Sequence, residues 1–191
     1  ISVIYNGVDL PTTQLKQNNK KEYDLIYAGN LNCGRSSVFR VLLKSLEKMG
    51  RKLKIVVASN CSEDFVNECK KIYSSGNIIF LGRISQKEVF DFIQRSKSGL
   101  QINAKAYPYA LSTKLFEYPA LKVPVLSLNY GGDIETIIKK YKMGISINID
   151  GENNLTQRLE CFFDNSGDDF TFDISSFTHE VMAKKFIKLL K

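Results

Sequence analysis

The sequence has no long apolar run, no clustered cysteines and no acidic pair of the Asp-x-Asp type. No stretch approaches the roughly eighteen consecutive apolar residues that a membrane-spanning helix needs, so we expect no such helix. The 4 cysteines show no C-x-x-C spacing, and the single histidine, His179, is too little to complete a zinc site with them. We therefore predict no metal site, and reduced thiols in a cytoplasmic protein.

The first residues of the sequence and its net charge further limit the kinds of protein and of binding partner that we expect. It opens on Ile-Ser-Val-Ile-Tyr, with no basic region leading into an apolar one, so we expect no signal peptide and a piece of a longer protein. Lys and Arg number 27 against 20 Asp and Glu, a formal net charge of +7. Because the basic residues are spread out and no RNA-binding or finger motif occurs, we expect no nucleic-acid partner. A phosphate-bearing substrate or an anionic membrane surface fits the surplus.

Apolar β-prone runs alternate with helical periodicity along the whole chain. Strands are predicted at 23–31, 52–60, 77–84, 99–104, 123–129 and 144–149. Helices are predicted at 36–49, 62–74, 85–96, 112–121, 133–142, 153–164 and 177–190. Parallel strands need crossover connections, so this alternation predicts a doubly wound, Rossmann-like α/β domain with a parallel sheet of about six strands and helices on both faces.

Two helices carry more detailed signals. The helix predicted at 36–49 turns one face toward the core, and this face consists of Val38, Val41, Leu42, Ser45 and Leu46. The helix predicted at 85–96 begins at Ser85, and Glu88 follows three residues later, which is the pattern of a capping box.

In doubly wound sheets, ligands bind beyond the carboxyl ends of the strands, near the point where strand order reverses. Gly29 and Asn30 follow the first main strand, and Gly34 and Arg35 stand at the start of the first helix. Amides at a helix start and a guanidinium beside them suit a phosphate. The alternative is a plain turn with a solvated arginine, since the spacing is not G-x-G-x-x-G.

The loop after the fourth strand is a second candidate. Ser112 and Thr113 are predicted to open a helix that carries Lys114 and Glu117 in its first turns. An anion there would meet free amides, two hydroxyls and an ammonium group. The alternative is a surface ion pair between Lys114 and Glu117, which are three residues apart.

Four segments, which follow one another along the chain, resemble segments of one protein family. They are VIYNGVDL (3–10), IYAGNLNCGR (26–35), NIIFLGRIS (77–85) and STKLFEYPALKVPVLSLNYGGDIETI (112–137). Together they resemble the C-terminal, nucleotide-sugar-binding domain of a retaining glycosyltransferase of the two-domain B fold, the group 1 or family 4 type. The resemblance divides the chain into residues 1–22, entering from a missing N-terminal acceptor domain, a donor-binding domain at 23–176, and a C-terminal helix at 177–191.

The resemblance assigns roles to individual residues. Glu117 matches the glutamate that binds the ribose, and Arg35 matches the cation that steadies the leaving diphosphate. Arg83 and Ile84 match the strand end where the base docks. Ser112, Thr113 and Lys114 match the helix start near the phosphates, so that Arg35 and Lys114 are the expected catalytic residues.

Two positions depart from the family pattern. Tyr109 stands where the family has a glutamate near the donor sugar, and Asn30, after Gly29, stands where it has an arginine. Loss of one charge-assisted phosphate contact costs about 1.5–3 kcal/mol, and Lys114 is expected to compensate.

The implied function is transfer of a sugar from a UDP- or GDP-sugar to a glycan or lipid-linked acceptor, with retention and without a metal. The implied setting is cell-surface polysaccharide biosynthesis in the cytoplasm, at the inner face of the membrane. Without its N-terminal half, the domain is expected to bind donor but to transfer little. Two rivals stay open: a sugar-nucleotide epimerase or hydrolase of the same architecture, and a non-catalytic nucleotide-sugar-binding or scaffold domain.

The last predicted helix has two interpretations. Its apolar stripe consists of Phe177, Val181, Met182, Phe186, Leu189 and Leu190, and lysines crowd its end. Such a helix packs on its own domain, with lysines near the negative end of its dipole, or lies on an anionic membrane. The first interpretation is favoured, and His179 is expected to be a solvated or capping residue.

Overall fold

A computed structural model describes residues 7–9, 20–150, 154–164, 170 and 173–190. Its six strands are β1 (Tyr23–Ala28), β2 (Lys54–Ala58), β3 (Asn77–Phe80), β4 (Ser96–Ile102), β5 (Val125–Asn129) and β6 (Gly144–Asn148). Its helices are α1 (Arg35–Lys48), α2 (Glu63–Ile72), α3 (Gln86–Gln94), α4 (Lys114–Ala120), α5 (Asp133–Lys140), α6 (Leu155–Asp164) and α7 (His179–Leu189), with a 3-10 turn at Ser175–Phe177.

All strand pairs of the sheet are parallel, in the order β3-β2-β1-β4-β5-β6. Leu25 of β1 lies level with Ile55 of β2 on one side and with Ser98 of β4 on the other. The order reverses between β1 and β4, so their carboxyl ends form the crevice where such sheets bind ligands. The predicted doubly wound, Rossmann-like fold is confirmed.

Helices cover both faces of the sheet and create two apolar cores. On β1, Leu25 and Tyr27 point to the core under α1, α2 and α6. Ile26, between them, points to the core under α3, α4, α5 and α7. Successive strand residues alternate between faces, so one strand contributes to both cores.

The two detailed predictions for helices have different outcomes. At α3, the Ser85 hydroxyl accepts the Glu88 amide and Glu88 accepts the Ser85 amide, so the predicted capping box is present. On α1, the prediction for Val41 is wrong, since 38% of this residue is exposed. Phe39 and Leu43 are buried instead, because the inner face is rotated toward their side of the helix.

Strand β4 begins three residues before the predicted start. Ser96 and Ser98 are polar but buried, which hid this part of the strand in the sequence. The Ser96 hydroxyl donates to the Phe92 carbonyl and the Ser98 hydroxyl donates to the Asp24 carbonyl, both at 2.8 Å. Hydroxyls that are paired in this way are buried at little cost.

Residues 7–9 lie against the start of α7. The Val8 amide donates to the Phe177 carbonyl at 2.8 Å, and the His179 amide donates to the Val8 carbonyl at 3.3 Å. Thr178 caps α7, so the helix begins at His179 and not at Phe177 as predicted. The His179 ring lies 2.6 Å from a carboxylate oxygen of Asp9. Most of the predicted segment 1–22 lies outside the described residues.

The favoured packing of the last helix holds for its first turns alone. Met182 is buried, whereas Phe186, Ile187, Leu189 and Leu190 are 53–72% exposed. Phe186, Leu189 and Leu190 continue the face that carries Met182, so the apolar face of α7 runs past the edge of the described domain. In the described ranges, the helices are too short or too polar to cross a bilayer.

Candidate functional site

The loops after β1 and β4 meet at the carboxyl edge of the sheet. A Cβ atom on Gly34 would lie 3.6 Å from the Ala104 Cβ, so the two loops are neighbours. The buried Tyr118 hydroxyl from α4 accepts the Ala28 amide and lies within hydrogen-bond distance of the Leu100 carbonyl, both at 3.2 Å. This hydroxyl ties α4 to the ends of both central strands, so the two predicted segments share one crevice.

The loop after β1 is held in a tight turn. The buried Tyr27 hydroxyl donates to the Asn30 carbonyl at 2.8 Å, and the Asn30 side chain accepts the Asn32 amide at 2.7 Å. Gly34 has a φ of 85°, which favours glycine, and it places Arg35 at the first position of α1. Burial raises the pKa of Tyr27 to about 12, while the charge of Arg35 acts to lower it. Arg35 therefore lies directly after the loop that follows β1, and its role toward a phosphate stays a prediction.

The loop after β4 is fixed from beneath by Asn103. Its side-chain amide donates to the Pro108 and Ala110 carbonyls, each at 3.0 Å, and its oxygen accepts Gln101 at 3.1 Å. Tyr109 lies between the two fixed carbonyls and is 77% exposed. Tyr109 is therefore an exposed side chain on a loop whose backbone is bonded to Asn103 on either side of it.

The start of α4 differs from the prediction. The Lys114 amide donates to the Ser112 hydroxyl at 3.1 Å, and the Leu115 and Phe116 amides donate to the Ser112 and Thr113 carbonyls. The expectation of free amides at this helix start is wrong for these three positions. Bonds from residue i+3 to residue i tighten the first turn and use the donors internally.

Lys114 and Glu117 form an ion pair, but not the surface pair that the alternative interpretation described. The Lys114 ammonium donates to a Glu117 carboxylate oxygen. Glu117 is 8% exposed, so its carboxylate is withdrawn from bulk water and aligned by the lysine. A buried carboxylate at a crevice is suited to accept hydroxyl groups of a ligand.

A pocket of about 380 Å³ opens on the β3 side of the crevice. It is lined by Gly29, Asn30, Asn32, Ala58, Ser59, Asn60, Gly82, Arg83, Ile84 and Val89. Four predicted site residues (Gly29, Asn30, Arg83 and Ile84) line it together. The other predicted residues belong to α1, α4 and the loop before α4, so the site has a pocket part and a crevice part.

Ser59 and Asn60 also line the pocket, although they were not among the predicted site residues. They follow β2 directly, as Gly29 and Asn30 follow β1. The signal was available, because residues after any strand near the reversal point are candidates. Within the described ranges, no group of three His, Cys, Asp or Glu side chains is placed to hold a metal ion.

Several solved structures share this fold at low sequence identity. AviGT4, a glycosyltransferase of avilamycin A biosynthesis, aligns over 97% of this chain with a TM-score of 0.70 and 16% identity. TarM from S. aureus, solved with fondaparinux, α-GlcNAc-glycerol and UDP, aligns over 100% with a TM-score of 0.72 and 14% identity. A protein described as a UDP-N-acetylglucosamine 2-epimerase from Listeria monocytogenes aligns over 75% with a TM-score of 0.51 and 15% identity.

The chain spans 55% of AviGT4, 39% of TarM and 38% of the epimerase, which is about half or less of each. No curated protein matches the sequence significantly. The sequence model of the family described as "Glycosyl transferase-like" matches residues 35–164, about two thirds of the chain. This match covers α1 to α6 and both parts of the candidate site except the loop after β1. The chain therefore belongs to the glycosyl transferase-like family.

Proposed function

We propose that this chain is the donor-binding half of a glycosyltransferase that moves a sugar from a UDP- or GDP-sugar to an acceptor with retention. The observation that supports this most is the composition of the crevice. It combines a pocket with apolar and amide groups, a buried carboxylate at Glu117, and the cations Arg35 and Lys114. These are the groups that a base, a ribose and a diphosphate require.

In this proposal the nucleotide lies across the crevice with its base in the pocket beside Arg83 and Ile84. Glu117 accepts hydrogen bonds from the ribose hydroxyls. Arg35 and Lys114 face the diphosphate, where negative charge grows as the bond to the sugar breaks. Positioned cations stabilise that charge and lower the barrier, so the site needs no metal. Lys114 is paired with Glu117 in the structure, so it has to share its charge between the carboxylate and the phosphates.

The acceptor is assigned to another half of the protein, since the chain spans about half or less of its structural neighbours. We expect the isolated chain to bind donor and to transfer little sugar. The exposed apolar face of α7 is the surface we assign to that other half. Its lysines also suit an anionic membrane at the cytoplasmic face, and flotation with phosphatidylglycerol vesicles distinguishes the two.

The test is thermal unfolding of the 191-residue chain with UDP, GDP and their sugar conjugates. A ligand at a hundred times its Kd stabilises by about 2.7 kcal/mol, a rise in Tm of roughly 5–10 °C for a chain of this size. We expect that rise with one nucleotide, and its loss in Glu117→Gln. Glu160→Gln, an exposed carboxylate on α6, is the matched control and keeps the rise.

No rise with any nucleotide would contradict donor binding by this chain. An epimerase or hydrolase of the same architecture remains the rival, since one such protein shares the fold. A longer form of the protein that released free or isomerised sugar without any acceptor would favour that rival. If Glu117→Gln showed the same nucleotide-induced rise in Tm as wild type, Glu117 would not bind the ribose, and the rest of the proposal would stand.

A further inference from the structure

Ser59 carries a buried hydroxyl that the fold does not use. The residue follows β2, is 5% exposed and lines the 380 Å³ pocket. Among the described residues, no nitrogen or oxygen atom forms a hydrogen bond with its Oγ. Buried polar atoms in folded proteins are nearly always paired, and an exception at a pocket calls for a partner from outside the chain.

The neighbouring Cys61 thiol does not remove this need. Burial raises the pKa of the Cys61 thiol, and a side-chain hydrogen bond with Ser59 acts to lower it. A thiol sulfur is a weak acceptor and a weak donor. The hydroxyl therefore keeps most of its capacity to donate to a stronger acceptor.

The surroundings of Ser59 indicate what that acceptor is. Ala58, Ile84 and Val89 give the pocket apolar walls, and Asn60 adds an amide. The pocket lies at the ends of β1, β2 and β3, whereas Glu117 and Lys114 lie on α4, beyond β4. A flat heteroaromatic ring with polar edges suits such walls, whereas a diphosphate would find there no cation other than Arg83 among the lining residues.

We infer that the Ser59 hydroxyl donates a hydrogen bond to a ring carbonyl of the nucleotide base. This inference rests on the proposed function, and it assigns a base-reading residue that the sequence motifs did not contain. Uracil and guanine both carry such a carbonyl. The contact therefore serves either base, and the binding panel decides between them.

The test is Ser59→Ala in the 191-residue chain, with UDP and GDP titrated by calorimetry. We expect the affinity for the bound nucleotide to fall about tenfold, the size of one good hydrogen bond to a buried group. We also expect the Tm of the protein alone to stay equal or to rise. The reason is that the variant removes a buried hydroxyl that has no partner in the fold.

Ser62→Ala is the matched control, three residues further along the chain. The Ser62 hydroxyl caps α2 by accepting the Phe65 amide and does not line the pocket, so its loss lowers the Tm and leaves the affinity unchanged. A nucleotide affinity within twofold of wild type in Ser59→Ala would overturn the inference and leave the proposed function intact. So would a fall in Tm like that of Ser62→Ala, since the hydroxyl would then serve the fold. Binding of no nucleotide by the wild type would overturn both.

Discussion

The Tyr118 hydroxyl bridges the two central strands where they separate. The register between β1 and β4 ends at Tyr27 and Leu100. Just beyond it, the hydroxyl accepts the Ala28 amide and reaches the Leu100 carbonyl, both at 3.2 Å. The side chain is fully buried, and burial raises its pKa, so the hydroxyl stays neutral and able to serve both groups.

We predict that Tyr118→Phe destabilises the protein by about 1–3 kcal/mol, because it leaves a buried amide without its acceptor. The ring is kept, so no large cavity adds to this cost. At roughly 2–4 °C per kcal/mol for a chain of this length, the Tm falls by about 2–12 °C. Nucleotide affinity falls as well, because the same hydroxyl holds α4, and with it Glu117, against the end of β1.

Tyr73→Phe is the matched control. The Tyr73 hydroxyl also bridges two backbone groups, accepting the Leu53 amide at 2.7 Å and donating to the Arg51 carbonyl at 2.5 Å. These groups lie before β2, at the opposite edge of the sheet, so this variant loses stability but keeps its nucleotide affinity. Differential scanning calorimetry and titration of both variants provide the measurement. A Tm of Tyr118→Phe within 1 °C of wild type, or equal affinity losses in both variants, would refute the reasoning.

Two further predictions concern the fold. Gly99→Ala lowers the Tm by at least as much as Tyr118→Phe, because a Cβ at residue 99 would lie 2.4 Å from the ring of Tyr118; an unchanged Tm in thermal unfolding would contradict this. Hydrogen bonds from Ser85 lower the pKa of Glu88, so its stabilising effect is present above the ordinary pKa of 4.5 and is lost as the pH falls below it. The Tm difference between wild type and Glu88→Ala is therefore expected to be largest near neutral pH and to shrink as the pH falls below 4.5. A difference that widens on acidification would contradict the assignment.

Local patterns in the sequence were enough for the fold class and for part of the site. The alternation of strand and helix periods predicted the doubly wound sheet, because each period reflects which face of one element is apolar. Ser85 was predicted as a cap, since a cap depends on residues within one turn. Gly29, Asn30, Arg83 and Ile84 were predicted as site residues and lie together in the pocket. Their roles toward a ligand stay predictions.

The pairing and burial of the polar groups depend on contacts between segments that are distant in the sequence. Ser59 is buried because β1 and β3 flank β2, and among the described residues no nitrogen or oxygen atom pairs with its hydroxyl. The order of strands follows from the crossovers and not from nearby residues. Glu117 is buried because α4 packs on the sheet. The positions of strands and helices follow from contacts within a few residues, so local sequence patterns predict them. Burial and pairing of the site residues arise from contacts between distant segments, and only the packed chain shows them.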